Sequence, residues 1–153
     1  MKTLFLSAAI CFLGINSASA QKIKETEVPK AVVSSFHSNF KNATAKEWEK
    51  EGNNYEAEFD WNKVETSASF SAEGKLMETE HEIKVSELPK AVSDYVTKNY
   101  AGSKIEEASK ITTPDGVVTY EAEVKKGKEE MDLMFDSTGA FIKKEVETEK
   151  DKD

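Results

Sequence analysis

Glu56, Glu58 and Asp60 stand two residues apart, as do Glu121 and Glu123, with Asp132 and Asp136 further on. In an extended chain, residues two apart share a face, so each set lines one side of a strand with carboxylates. Such a row can steer and hold a basic partner. It can also offer the hard oxygen ligands that calcium takes. The loop spacing of an EF-hand is absent from the sequence, which leaves docking ahead of ion binding. Against both stands the plainer expectation of a wet, acidic strand face, since a half-buried strand normally turns polar residues outward.

Other chemistry finds little purchase. His37 and His81 are the only histidines and lie far apart in the chain, which does not suit a zinc site. No Gly-x-Ser-x-Gly elbow occurs. Gly102, Gly116, Gly127 and Gly139 read as turn glycines at strand ends, not as a phosphate loop. The one cysteine, Cys11, sits in an apolar run at the start of the chain. No catalytic residue, metal ligand or cofactor is therefore expected, and the chain reads as a non-enzyme.

The same N-terminal run sets the expected address. Lys2 precedes an apolar stretch over residues 4–15, and Ala18-Ser19-Ala20 supplies a small-x-small cleavage site before Gln21. This is the pattern of a secretory signal peptide, residues 1–20, too short for a permanent span. Cleavage after Ala20 would leave 133 residues without cysteine, stabilised by packing alone in a periplasmic or secreted setting. That mature chain carries twenty lysines, no arginine and twenty-nine carboxylates, a balance of −9. A surface so acidic is ill suited to nucleic acid or to anionic lipid, and no membrane insertion is expected after cleavage.

The elements that must position these residues occur twice. Val28-Pro29-Lys30-Ala31-Val32 returns as Leu88-Pro89-Lys90-Ala91-Val92. Tyr55-Glu56-Ala57-Glu58-Phe59 returns as Tyr120-Glu121-Ala122-Glu123-Val124, and Phe70 and Gly74 return as Phe135 and Gly139. Matches kept in order indicate a duplicated structural unit. Each begins with a helix, about residues 29–40 in the first copy, on which Val32, Phe36 and Phe40 share a face. In the second copy Leu88, Val92, Val96 and Tyr100 do the same, with Ser86 as the expected helix cap. The period then falls to two. Strands are expected around Trp48, over 55–61, over 66–70 and over 76–83, and again over 105–111, 118–124, 131–135 and 141–146.

The expected fold is therefore α+β: two tandem repeats, each one helix followed by a four-stranded antiparallel sheet, with the sheets joined side by side and the helices on one face. The first repeat spans residues 21–84 and the second 85–147, with a charged tail over 148–153. The segment 81–87 between them holds no Gly or Pro, so it is not expected to behave as a flexible linker.

The Pro-led helix, the Tyr-x-x-x-Phe/Val strand and the Phe-x-x-x-Gly turn, twice over behind a signal peptide, resemble the PepSY-like proteins of Bacteroidetes. These are small exported proteins with a fold similar to the β-lactamase inhibitory protein. The resemblance implies a helix-plus-four-strand repeat, a periplasmic or surface location, and protein binding or inhibition on an open sheet. This chain departs from the inhibitor in lacking cysteines after the signal, and no inhibitory contact residue matches a position here.

The expected role is thus a binding module that docks a protein or peptide. Trp61 stands as its anchor, with Glu56, Glu58, Glu121 and Glu123 as a charged surround. The competing role is a periplasmic sensor or buffer for a small ligand or calcium.

Overall fold

The computed structural model describes residues 20–146. All but Ala20 of the expected signal segment, and the whole of the charged tail, lie outside the described residues. Among the described residues the fold is α+β, with two α-helices and nine strands, and every described strand pairing is antiparallel. The described residues form two compact units, 20–79 and 80–146.

In the first unit a short strand β1 (Gln21–Ile23) and a single 3-10 turn lead into helix α1 (Lys30–Asn39). Pro29 stands immediately before the helix, where its missing N–H costs nothing. Ten residues are too few for a helix to persist alone in water, so α1 depends on the face it buries. Val32 and Phe36 on that face are fully buried, and Phe40 closes it. They pack on strands β2 (Ala45–Glu51), β3 (Asn54–Trp61) and β4 (Val64–Ser71). Trp48, Ala57, Phe59, Ala68 and Phe70 complete the cluster. Phe36 lies edge-on to Phe59 at 4.9 Å and to Trp48 at 5.5 Å, the geometry aromatic quadrupoles prefer. Strand β5 (Leu76–Glu82) follows.

The second unit contains helix α2 (Lys90–Asn99) and strands β6 (Lys104–Thr112), β7 (Val118–Lys126), β8 (Glu129–Asp136) and β9 (Phe141–Val146). Its core gathers Leu88, Val92, Val96, Ala108, Ala122, Val124, Met131, Leu133 and Phe135. Beside these, Tyr95 stacks on Phe141, ring centroids 4.8 Å apart and nearly coplanar.

The repeated Pro-Lys-Ala-Val and Gly residues owe their spacing to one contact. Gly74 and Gly139 end tight turns with φ of +84° and +85°, in the left-handed region where a side chain is strained. Each also presses on a helix start. A Cβ on Gly74 would stand 2.5 Å from the Ala31 carbonyl oxygen, and one on Gly139 would stand 2.8 Å from Ala91 Cβ. The helix can sit this close only because both partners are small.

Two expectations change. Ser86 does not cap α2: it lies inside a 3-10 turn, Val85–Glu87, and the residue before the helix is Pro89, with no side-chain cap. The capping interaction belongs to the turn instead, where the Lys84 N–H donates to Glu87 Oε2 at 2.9 Å; the Lys24 N–H does the same to Glu27 at 3.0 Å. Ahead of the first turn, β1 pairs with β2 in the register Lys22↔Glu49. Finally, the carboxylate-bearing strand faces are not simply wet: Glu49, Glu56 and Asp132 are buried.

Candidate functional site

Strand pleating puts Trp48, Ala57 and Ala68 toward α1, and so turns the alternate residues of β2, β3 and β4 the other way. On that second face the register builds two cross-strand rows. Glu49 lies opposite Glu56, which lies opposite Ser69; Glu47 lies opposite Glu58, which lies opposite Ser67. Like charges placed directly across from one another repel. Lys22 of β1 supplies compensation, pairing with Glu47 at 2.6 Å. The serines leave room for the long glutamates to lie over the sheet, and Glu56 retains only 3% of its surface. Burial pushes the Glu58 carboxyl up to about 7, aided by the charges of Glu47, Glu49 and Glu65 and opposed by Lys22. Glu49 is raised as well, by burial first and then by its hydrogen bond with Glu47.

The second unit repeats the design with different neighbours. One row reads Ser109, Glu121, Met134, Lys143 across β6 to β9, and the other reads Glu107, Glu123, Asp132, Glu145. Met134 and Asp132 are buried on this face. Burial raises the Glu121 carboxyl well above the carboxylate range; the nearby charges of Glu80, Asp132 and Glu145 add to the effect, and Lys143 opposes it. Glu80 is raised by burial too, while a hydrogen bond with Ser109 works against that. Lys143 is engaged with Glu145 at 2.5 Å.

Of the five residues expected to form a docking surface, the structure groups four by unit and sets one apart. Glu56 and Glu58 share the face of the first unit that turns away from α1, and Glu121 and Glu123 share the corresponding face of the second. Trp61 falls on the opposite face from Glu56 and Glu58, edge-on to Phe40 at 5.5 Å. It is half-buried against the first core and stands away from that charged surround. Glu47, Glu49 and Glu80 were the missed members. Their strands were legible, but which neighbour each would meet depends on register. The bulge between Ala45 and Glu47 further shifts the pairing of β2.

Neither histidine joins a site. His37 is exposed on α1, and His81 is held below its usual range by burial and then by Lys110. Among the described residues, no group of three or more His, Cys, Asp or Glu is placed to hold a metal ion. An open trough of about 550 Å³ in the first unit is lined by Lys22, Lys24, Glu25, Lys46, Glu47 and Trp48. Its lining does not include Glu56 or Glu58, and it has none of the enclosure a reaction centre uses to exclude water. No described helix is long and apolar enough to cross a membrane.

A family model described as "Putative beta-lactamase-inhibitor-like, PepSY-like" matches residues 15–77 and again residues 60–143. The chain belongs to the PepSY-like family. Its fold is similar to those of solved Bacteroides proteins. A BLIP-like protein of Bacteroides fragilis is 24% identical with a TM-score of 0.60, the match covering 77% of this chain and 86% of that one. A DUF2874 family protein of Bacteroides uniformis is 19% identical with a TM-score of 0.67, covering 77% and 88%. A candidate periplasmic protein of Bacteroides eggerthii is 15% identical with a TM-score of 0.69, covering 78% and 88%. No curated protein matches the chain. Two matches of one PepSY-like model along the chain accord with the internal repetition of its sequence.

Proposed function

We propose that this PepSY-like protein is an exported, non-catalytic binding module that docks a protein or peptide bearing basic side chains, and that it acts as an inhibitor of that partner. The supporting observation is the row of crowded carboxylates in the first unit, Glu47, Glu49, Glu56 and Glu58, with Lys22 as the cation among them. Carboxylates already stripped of part of their water lose less on meeting a lysine or arginine than fully hydrated ones do, and their mutual repulsion is relieved by the incoming charge. Glu121 and Glu123 offer the same chemistry in the second unit. Trp61, on the other side of β3, is not an anchor for this surface. The periplasmic description of a structural neighbour and the signal-like N-terminus support an envelope location. The repeats are proposed to run over 21–84 and 85–147, each a helix with the four strands that follow it.

The test is capture from a native envelope extract with the wild-type chain and with a variant carrying Glu47→Gln and Glu58→Gln. A partner held by the wild type, released by moderate salt and lost by the variant supports the proposal. A partner held equally by both places the docking surface elsewhere.

A further inference from the structure

Glu121 Oε2 is sealed from solvent and accepts no hydrogen bond. Its row neighbours explain why. On one side stands Ser109, whose side chain hydrogen-bonds Glu80; on the other stands the buried thioether of Met134. Lys143 is the cation that acts on Glu121, and its ammonium sits on Glu145. The charged groups acting on Glu121 are Glu80 of β5, Asp132 of β8, and Glu145 with Lys143 of β9. Glu107 and Glu123 stand in the row on one side of it, and Asp136 of β8 in the row on the other. His81 and Lys110 lie on alternate positions of their strands, on the other face from Glu80 and Ser109.

A buried carboxylate oxygen without a donor is costly, and two adjoining carboxylates out of water cannot both stay ionised. A proton answers both demands, because it removes one charge and turns an acceptor into a donor. We propose that Glu80 and Glu121 hold one proton between them at neutral pH, and that this shared proton fastens the acidic face of the second unit. Glu80 and Glu121 then form a carboxyl–carboxylate pair, with the Ser109 hydroxyl orienting Glu80. When the proton leaves to solvent, two anions are left facing Asp132, and strands β6 to β8 loosen.

This inference is independent of the docking proposal. A carboxyl that binds its proton more tightly when folded than when unfolded stabilises fully below the unfolded value of about 4.3, and that contribution is lost as pH rises through the folded value. Both members of the pair are shifted upward, so the loss falls on the alkaline side. Glu121→Gln supplies a permanent donor without the charge. In the full-length chain its melting temperature is expected to lie close to the wild type at pH 5 and to exceed it by about 3–5 °C at pH 8.5. A gap that stays constant from pH 5 to 8.5, or a variant less stable than wild type at pH 8.5, overturns the proposal. Infrared spectra give a second reading that does not depend on variant stability. In a Glu58→Gln background, which removes the other carboxyl raised to about 7, the protein at pH 7 should show a protonated-carboxyl stretch that Glu121→Gln and Glu80→Gln each diminish, and a spectrum unchanged by both overturns the shared proton.

Discussion

Where the first unit places Phe36, Trp48 and Phe59, the second places Val96, Ala108 and Val124. The lost volume returns at other points of the same frame. Ala68 has its counterpart in Leu133, Thr66 in Met131, and Ser35 in Tyr95, which lies edge-on to Phe135 and stacks on Phe141. What both units keep is the backbone contact between a left-handed glycine and the first turn of the helix. The comparison teaches that the frame is set by a few close approaches, while the core filling can be exchanged as long as volume is conserved. The acidic faces diverge in the same manner. The first unit tempers its glutamates with Lys22, whereas the second places Met134 beside Glu121, at the position where the first has Ser69.

The largest effect should come from the aromatic core. Phe36 is fully buried and lies against four aromatic rings: Trp48, Phe40 and Phe59 in the core and His37 at its rim. Phe36→Ala should cost about 3–5 kcal/mol. Val96→Ala, at the equivalent place in the second unit, should cost about 1.5–3 kcal/mol. Urea denaturation of both variants checks this, and equal losses would mean that the two cores are not differently built.

The glycine contacts come next. Gly74→Ala and Gly139→Ala should each lose about 1–3 kcal/mol from the left-handed backbone alone. The space around them then separates the two. At Gly74 the new methyl meets the backbone carbonyl of Ala31, which no side-chain change can remove. At Gly139 it meets the Ala91 methyl. A double-mutant cycle should therefore show Ala91→Gly recovering part of the Gly139→Ala loss, with no such recovery from Ala31→Gly in Gly74→Ala.

A smaller and pH-dependent effect distinguishes the acidic faces. The Glu58 carboxyl titrates near 7 when folded, above the ordinary carboxylate value, through burial and then the charges of Glu47, Glu49 and Glu65. Its contribution is complete below about 4.3 and declines as pH rises through 7. Glu58 remains partly in touch with water, so the decline between pH 5 and 8 should be only about 1–2 kcal/mol. Glu58→Gln should flatten that part of the stability profile, measured by denaturant titration at each pH. An unchanged profile would show that Glu58 is ionised and hydrated like any surface carboxylate.

The sequence carried the frame openly because the frame is made of local signals. Proline at a helix start, apolar residues four apart, alternation at period two and glycine at the turns each act over a few residues, and each appears twice. The acidic rows were legible as rows, since alternation alone puts Glu56 with Glu58 and Glu121 with Glu123. Their burial was not, because it depends on what stands across the strand. Ser69 beside Glu56 and Met134 beside Glu121 are separated from them by more than ten residues and meet them only through register. Trp61 shows the converse. Its period with Tyr55, Ala57 and Phe59 already placed it on the core face, and the acidic neighbours in sequence point to the other side.

The smallest expected effect lies on the helix surfaces, where the units differ without consequence for the frame. Lys90 and Asp94 form an ion pair at 2.5 Å one turn apart on α2; the first unit has Lys30 and Ser34 at these places and no such pair. Both partners are exposed, so water and salt screen most of the attraction, and holding two mobile side chains together costs entropy. The order of charges adds little, since a lysine in the first turn faces the positive end of the helix dipole. Lys90→Ala should therefore change stability by no more than about 0.5 kcal/mol in either direction, as read from denaturant midpoints at low and high salt. A loss well above that, vanishing in salt, would give this pair a structural weight that the first unit manages without.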